Sequence, residues 1–236
     1  MLFYFIRHAE PIYDPDSITE RGKLQAEALS ERLYEEKIDR VFSSSSTRAL
    51  MTAEPTCKKL GLSVTAFDWA REDKAGGEFG LVREGKWNWL FCDRQTLADF
   101  NSDEVRLLGD KWYEHKKFDD LPNLRSGIQR IAAETDAFFS SLGYVHDRNA
   151  HIYRVENPTD EKIAFFAHGG FGMAFLSSFL DIPYNIYSLH FEHHTTTGMT
   201  IISFNEVCGT AVPKIVEYCN DSHLYKAGLK PYNQHL

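Results

Sequence analysis

The chain predicts an α/β fold of three layers, a mostly parallel central sheet flanked by helices, and three observations carry that prediction. It opens on a continuous apolar run, LFYFI at residues 2–6, the pattern of a strand buried on both faces. Similar short runs recur and alternate with segments of helical period, as in layered α/β proteins. Arginine, histidine or glutamate stands where several of these runs stop. At 236 residues the chain fits one domain, residues 1–236, with an insertion at about 80–122 lying over that polar edge of the sheet.

The elements follow in order. After the first strand and a polar loop, Thr19 is placed as the N-cap of a helix through GKLQAEALSERLYEEK, residues 22–37, with Ala26, Leu29 and Leu33 as its buried stripe. Residues 38–43 read as a second strand. A serine-rich turn at 43–46 precedes a helix from Thr47 to Leu60, which Pro55 should kink or shorten because it removes a backbone donor. Residues 62–69 form a third strand. Later come a long helix near 126–142, a strand at 151–155, a turn at 157–162, a strand at 163–167, a helix over 171–180 and a strand at 199–204. Residues 80–122 have no clear period, so they read as the insertion, and GGEFG at 76–80 reads as a turn. There are no repeats or low-complexity tracts.

Composition narrows the functional classes. A content of 43% hydrophobic residues buries a sizeable core without disulfides or metals. The net charge of −8 argues against a nucleic-acid or anionic-membrane binder, so any phosphate site must be a local basic cluster. Cys57, Cys92, Cys208 and Cys219 are widely spaced with no CxxC pair, the usage of reduced thiols in a cytoplasmic protein. MLFYFI is too short for a signal-peptide core and has no basic leader, and no stretch approaches a membrane span of about 20 apolar residues.

The polar residues at strand ends form the candidate site. Arg7 and His8 follow the first strand, Arg48 opens the helix after the second, Glu72 follows the third, and His168 follows FFA at 165–167. In open parallel sheets, ligands bind at the carboxyl ends of the strands. Two guanidiniums match phosphate oxygens in fork geometry. A histidine between them can attack phosphorus through a ring nitrogen, and a carboxylic acid can protonate the leaving alkoxide. A second histidine and the amides of Gly169–Gly170 at a helix start can stabilise equatorial charge.

These pieces resemble the histidine phosphatase superfamily, the group that includes cofactor-dependent phosphoglycerate mutases. The matching motifs are RHAE at 7–10, T-x-x-G-x-x-Q-A at 19–26, S-x-x-x-T-R-A-x-x-T-A at 43–53, RE at 71–72 before a glycine-rich stretch, and AHGG at 167–170. The resemblance implies that His8 is the nucleophile that becomes phosphorylated, that Arg7, Arg48, His168 and Gly169 hold the phosphoryl oxygens, and that Glu72 is the general acid and later the base. It implies a small-molecule phosphate ester as substrate and no metal or other cofactor. Asp73 and Glu78 compete with Glu72 for the acid role.

Alternatives attach to several residues. Arg7, His8 and Glu10 taken alone would pass for a surface ion cluster. His190, His193 and His194 have spacing that invites a metal, but they lead into a strand with no carboxylate–cysteine partner pattern. His194 is instead placed at the pocket's rim, with Tyr13 and Thr19. Trp87 and Trp89 read either as a substrate lid or as anchors of the insertion. The motif at 7–10 continues Pro11-Ile12-Tyr13-Asp14 rather than with the Ser or Thr and then Asn of mutases, and residues 80–122 hold no counterpart of the mutases' basic region. Both departures favour a phosphomonoesterase acting on a small phosphorylated metabolite over a mutase, and a non-catalytic phosphate-binding module has little support because His8, His168, Arg7 and Arg48 are all present.

Overall fold

The computed structural model describes residues 1–193 and 195–230. Strand β1 (Leu2–Arg7) leads into a hairpin of β2 (Pro11–Tyr13) and β3 (Asp16–Ile18), then helix α1 (Glu20–Glu36). Next come β4 (Arg40–Ser44), α2 (Thr47–Leu60), β5 (Val64–Phe67) and α3 (Glu72–Phe79). A second hairpin, β6 (Gly80–Arg83) and β7 (Lys86–Trp89), precedes α4 (Arg94–Phe100), α5 (Asp103–Arg106) and the long α6 (Leu124–Ser141). Then follow β8 (Tyr144–Asp147), β9 (Ile152–Val155), β10 (Lys162–Ala167), α7 (Gly169–Phe179) and α8 (Tyr184–His190). The described chain closes with β11 (Met199–Ser203), β12 (Glu206–Val207), β13 (Thr210–Ala211), β14 (Lys214–Asn220) and α9 (Ser222–Lys226).

Six strands form the main sheet in the order β14-β11-β1-β10-β4-β5. The neighbours β1, β10, β4 and β5 run parallel, while β11 is antiparallel to both β1 and β14. The sheet is therefore mostly parallel, as the alternation of strands and helices predicts, with one reversed strand. Side chains along β1 alternate between faces, as a strand requires. Phe3 and Phe5 enter one core with Phe138 and Phe139 of α6 and Phe175 and Phe179 of α7. Tyr4 and Ile6 enter the other with Leu29 and Leu33 of α1 and Ala53 of α2. A strand covered on both faces has no place for polar side chains until its end, which is why LFYFI breaks off so abruptly into Arg7.

Two local expectations are corrected. GGEFG is not a turn: Gly76 to Phe79 complete α3, and Gly80 starts β6. The glycines serve a close approach instead, since an added Cβ on Gly80 would lie 2.6 Å from the Trp87 ring. Pro55 does not shorten α2, which runs to Leu60 and ends on Gly61 in the left-handed conformation. The helix buries Ala49, Thr52, Ala53 and Thr56, and this packing outweighs the single backbone bond that proline forgoes.

Residues 80–118 are more ordered than their sequence pattern suggests. Leu81, Leu90, Phe100, Val105, Trp112 and Phe118 are buried in the same apolar cluster as Phe3 and Phe5. The β6–β7 hairpin projects over the carboxyl ends of the parallel strands and carries Trp87 and Trp89 there.

Candidate active site

Pairing register assembles the site. Arg7 lies opposite Ala167, so the residues that follow, His8 and His168, leave the sheet side by side. The His8 amide then donates to the Ala167 carbonyl at 2.9 Å. Opposite Phe166 on the other flank is Ser43, which brings Ser44 beside His168. Adjacent parallel strands thus deliver Arg7, His8, His168 and Ser44 to one point.

The sequence motifs hold the loop after β1 in place. Thr19 caps α1 by accepting from the Gly22 amide at 2.9 Å. Gly22 approaches the loop closely, and a Cβ there would stand 2.6 Å from the Glu10 carbonyl oxygen. Gln25 accepts from the Glu10 amide at 2.9 Å, and Arg21 pairs with the Glu10 carboxylate. From the other side, the buried Thr52 hydroxyl accepts from the Ala9 amide at 2.9 Å and donates to the Arg48 carbonyl at 2.7 Å. T-x-x-G-x-x-Q-A and S-x-x-x-T-R-A-x-x-T-A are in this light two clamps on the segment that carries His8.

His8 is 3% exposed. Its Nδ1 lies 2.7 Å from the Ala9 carbonyl oxygen, which can only accept, so Nδ1 carries the hydrogen and Nε2 keeps a lone pair. Burial, then Arg7 and Arg48, hold its pKa well below the ordinary histidine value, leaving the imidazole neutral and nucleophilic. The His168 ring stands 5.2 Å away, centroid to centroid. Its Nε2 meets the Ser44 hydroxyl at 2.8 Å, and its Nδ1 is buried with no hydrogen-bond partner, 3.9 Å from the Glu72 carboxylate. Burial, then His8 and the arginines, keep His168 neutral as well.

The two guanidiniums are fixed from outside the pair of histidines. Arg48 donates to Asp16 at 2.7 Å and lies 5.6 Å from the centre of the Tyr13 ring, so the β2–β3 hairpin steadies it. Arg7 donates to the His193 carbonyl at 3.4 Å. Glu72 sits at the N-terminus of α7, where the Gly170 and Phe171 amides donate to its two oxygens at 3.0 and 3.2 Å. Burial raises its pKa against those hydrogen bonds and the nearby arginines. A carboxyl with that tendency can hold a proton where an ordinary one would not.

A cavity of about 780 Å³ opens at this edge. Arg7, His8, Arg48, Glu72 and Gly169 line it, Tyr13 and Asp73 border it, and His168 is buried just behind. Asp73 is engaged by Arg71, and Glu78 by both Nε and Nη2 of Arg130 at 2.6 Å, whereas the Glu72 oxygens accept from the α7 amides.

Other expectations are placed differently. Thr19 does not line the cavity, because its hydroxyl caps α1. His194 lies outside the described residues; of the other two, His193 lines the cavity and His190 is exposed at the end of α8. The Gly170 amide is directed at Glu72 rather than open to an anion. Among the described residues, no cluster of three or more histidine, cysteine, aspartate or glutamate side chains is poised to hold a metal. Ser44 and Asp16 complete the site in ways the sequence left without a role, and Trp89, read as lid or anchor, lines the cavity. Ser44 was hidden within a serine run, and Asp16 in a hairpin with no hydrophobic pattern.

Residues 3–88 match the model of the histidine phosphatase superfamily (branch 1). No curated protein matches the chain in sequence. Solved structures match nearly throughout. A mutant phosphoserine phosphatase from Entamoeba histolytica in complex with phosphoserine has a TM-score of 0.57 at 17% identity, over 94% of this chain and 98% of the other. A mycobacterial glucosyl-3-phosphoglycerate phosphatase has a TM-score of 0.58 at 16% identity, over 92% and 98%. An alpha-ribazole phosphatase from Shigella flexneri gives 0.57 at 17%, over 94% and 97%. At these identities the likeness is one of fold.

Proposed function

We propose that this chain, which is similar to the histidine phosphatase superfamily and has its phosphoglycerate mutase-like fold, is a phosphomonoesterase that hydrolyses a small phosphorylated metabolite through a phosphohistidine. One observation carries the reading: a neutral, tautomer-fixed His8 lines a cavity with two guanidiniums and a carboxyl whose pKa is raised. Three similar solved structures are named phosphatases of phosphoserine, glucosyl-3-phosphoglycerate and alpha-ribazole phosphate, all small phosphate esters.

In this mechanism Arg7 and Arg48 bind the phosphoryl oxygens, and the His8 Nε2 lone pair attacks phosphorus. The phosphorus–oxygen bond to the alcohol breaks as the Glu72 carboxyl gives its proton to the leaving oxygen. His168 contributes to holding the equatorial oxygens. Glu72, now a carboxylate, takes a proton from water, the resulting oxygen attacks phosphorus, and the bond to His8 breaks to release phosphate. A mutase has to hold two phosphates at once, and among the described residues Arg7 and Arg48 are the only lysine or arginine side chains lining the cavity. This favours hydrolysis. The scattered, unpaired cysteines among the described residues agree with a cytoplasmic location, and no described helix is long and apolar enough to cross a membrane.

The test is a label experiment. Brief mixing with a phosphorus-labelled ester, followed by denaturation, should leave acid-labile, base-stable label on the native protein. His8→Ala should carry none and release no phosphate above background. Near-native turnover by His8→Ala would overturn the reading.

A further inference from the structure

The cavity extends well beyond the phosphoryl cradle, and its outer wall is aromatic. Trp87 and Trp89 share one face of strand β7, with ring centroids 5.1 Å apart and planes at 73°, so they form a right-angled corner. Phe91 stacks on the inner of the two, the Trp89 indole, at 5.7 Å. Two glycines seat this corner against the backbone. A Cβ on Gly170 would lie 2.4 Å from the Trp89 ring, and one on Gly80 2.6 Å from the Trp87 ring. The indoles occupy the space that those side chains would have filled. Gly170 is also the residue whose amide holds Glu72, the proposed proton donor to the leaving group. The aromatic wall therefore begins where the leaving oxygen departs.

Charge completes the argument. Among the described residues, the lysine and arginine side chains that line the cavity are Arg7 and Arg48, both at the phosphoryl end. The remaining lining carries Asp73, whose carboxylate is paired with Arg71, Glu192, whose charge acts on Arg7, and the neutral amide of Asn88. A leaving group that bore a carboxylate or a second phosphate would find, among the described residues, no lysine or arginine lining this part of the cavity to offset its desolvation. A flat uncharged ring would instead lie against one indole face and the edge of the other.

We infer that the substrate is a phosphate monoester of an uncharged alcohol carrying a planar aromatic group, and that Trp87 and Trp89 select it. The volume agrees: about 780 Å³ is far more than one phosphate needs and lies in the range of pockets that enclose a ligand of several rings. The inference rests on the phosphatase reading for its substrate class, but the binding it requires does not depend on turnover.

The experiment compares primary-alcohol esters whose leaving oxygens are similarly basic: 2-naphthylmethyl phosphate, glycerol 1-phosphate and 3-phosphoglycerate. In parallel, the non-hydrolysable 2-naphthylmethylphosphonate and methylphosphonate are titrated by quenching of tryptophan fluorescence or by calorimetry. The expected result is at least about tenfold higher kcat/KM for the naphthylmethyl ester than for glycerol 1-phosphate, the size of a single base-on-aromatic stacking contact, with 3-phosphoglycerate the poorest. Trp87→Ala should narrow the first ratio about tenfold, and Trp87→Phe should keep part of it. The naphthylmethylphosphonate should bind more tightly than methylphosphonate by a similar factor. Equal turnover of all three esters, a preference for 3-phosphoglycerate, or equal phosphonate affinities would overturn the inference and leave the phosphatase reading intact. If p-nitrophenyl phosphate is not hydrolysed at all while the naphthyl phosphonate still binds preferentially, the phosphatase reading falls and the aromatic subsite stands.

Discussion

Lowering the pH from 7 to 5 should destabilise the protein in part through His193, and His193→Gln should remove that part. His193 is 2% exposed, with its ring edge-on to Phe5 at 5.0 Å and its Nε2 3.1 Å from the Thr200 hydroxyl. Burial, and after it Arg7, lowers its pKa from 6.5 to about 3. In the unfolded chain the same imidazole takes up a proton near pH 6.5. Between those two values the unfolded state binds more protons than the folded one, so stability falls as pH falls through 6.5. The slope approaches about 1.4 kcal/mol per pH unit, which integrates to about 2 kcal/mol between pH 7 and pH 5. In a domain of this size that corresponds to about 4–8 °C in Tm. His223, lowered to about 4 by burial and then Arg32, adds a loss of the same sign. His146 acts oppositely: burial opposes its protonation, but the hydrogen bonds with Asp136 and Asp181 outweigh it and raise its pKa, so its contribution is present at low pH and lost as pH rises. The variant isolates His193 from both. Glutamine can still meet the Thr200 hydroxyl but does not titrate. Guanidinium unfolding of the two proteins at pH 7 and pH 5 should give a loss about 2 kcal/mol smaller for the variant. Equal losses would refute the argument that this ring is held neutral by the fold.

Two further perturbations probe the chemistry and the clamps. Glu72→Gln should slow hydrolysis of alkyl phosphates by about 10²–10⁴-fold while slowing p-nitrophenyl phosphate far less, because a nitrophenolate needs little protonation. Equal slowing of both would remove Glu72 from the acid role. Thr52→Val keeps the shape of a buried side chain but strips the acceptor from the Ala9 amide, at a cost of about 1–3 kcal/mol, or several degrees in Tm. An unchanged Tm would mean that the hydroxyl does not anchor the loop that carries His8.

The parts of this fold legible in the sequence are those with strong local signals. Thr19 as a cap, the run Thr47–Leu60 as a helix and the buried strands LFYFI and IAFFA all announce themselves through periodicity, capping and β-propensity. The hairpins β2–β3 and β6–β7 do not, because their strands are three or four residues long and largely exposed, with no period to read. GGEFG misleads for a related reason: glycine commonly marks a turn, yet here Gly80 makes room for Trp87.

For the site, the sequence by itself determined which chemical groups are available and that they stand at the ends of buried strands: two arginines, two histidines and a cluster of carboxylates. Only the tertiary structure shows how each carboxylate is held, Glu72 by the amides of α7, Asp73 by Arg71 and Glu78 by Arg130. It also decided the electrical state of His8 and His168. That state depends on burial and on guanidiniums that the chain supplies from positions as far apart as 7 and 48, and neither burial nor such distances are written in local residue order.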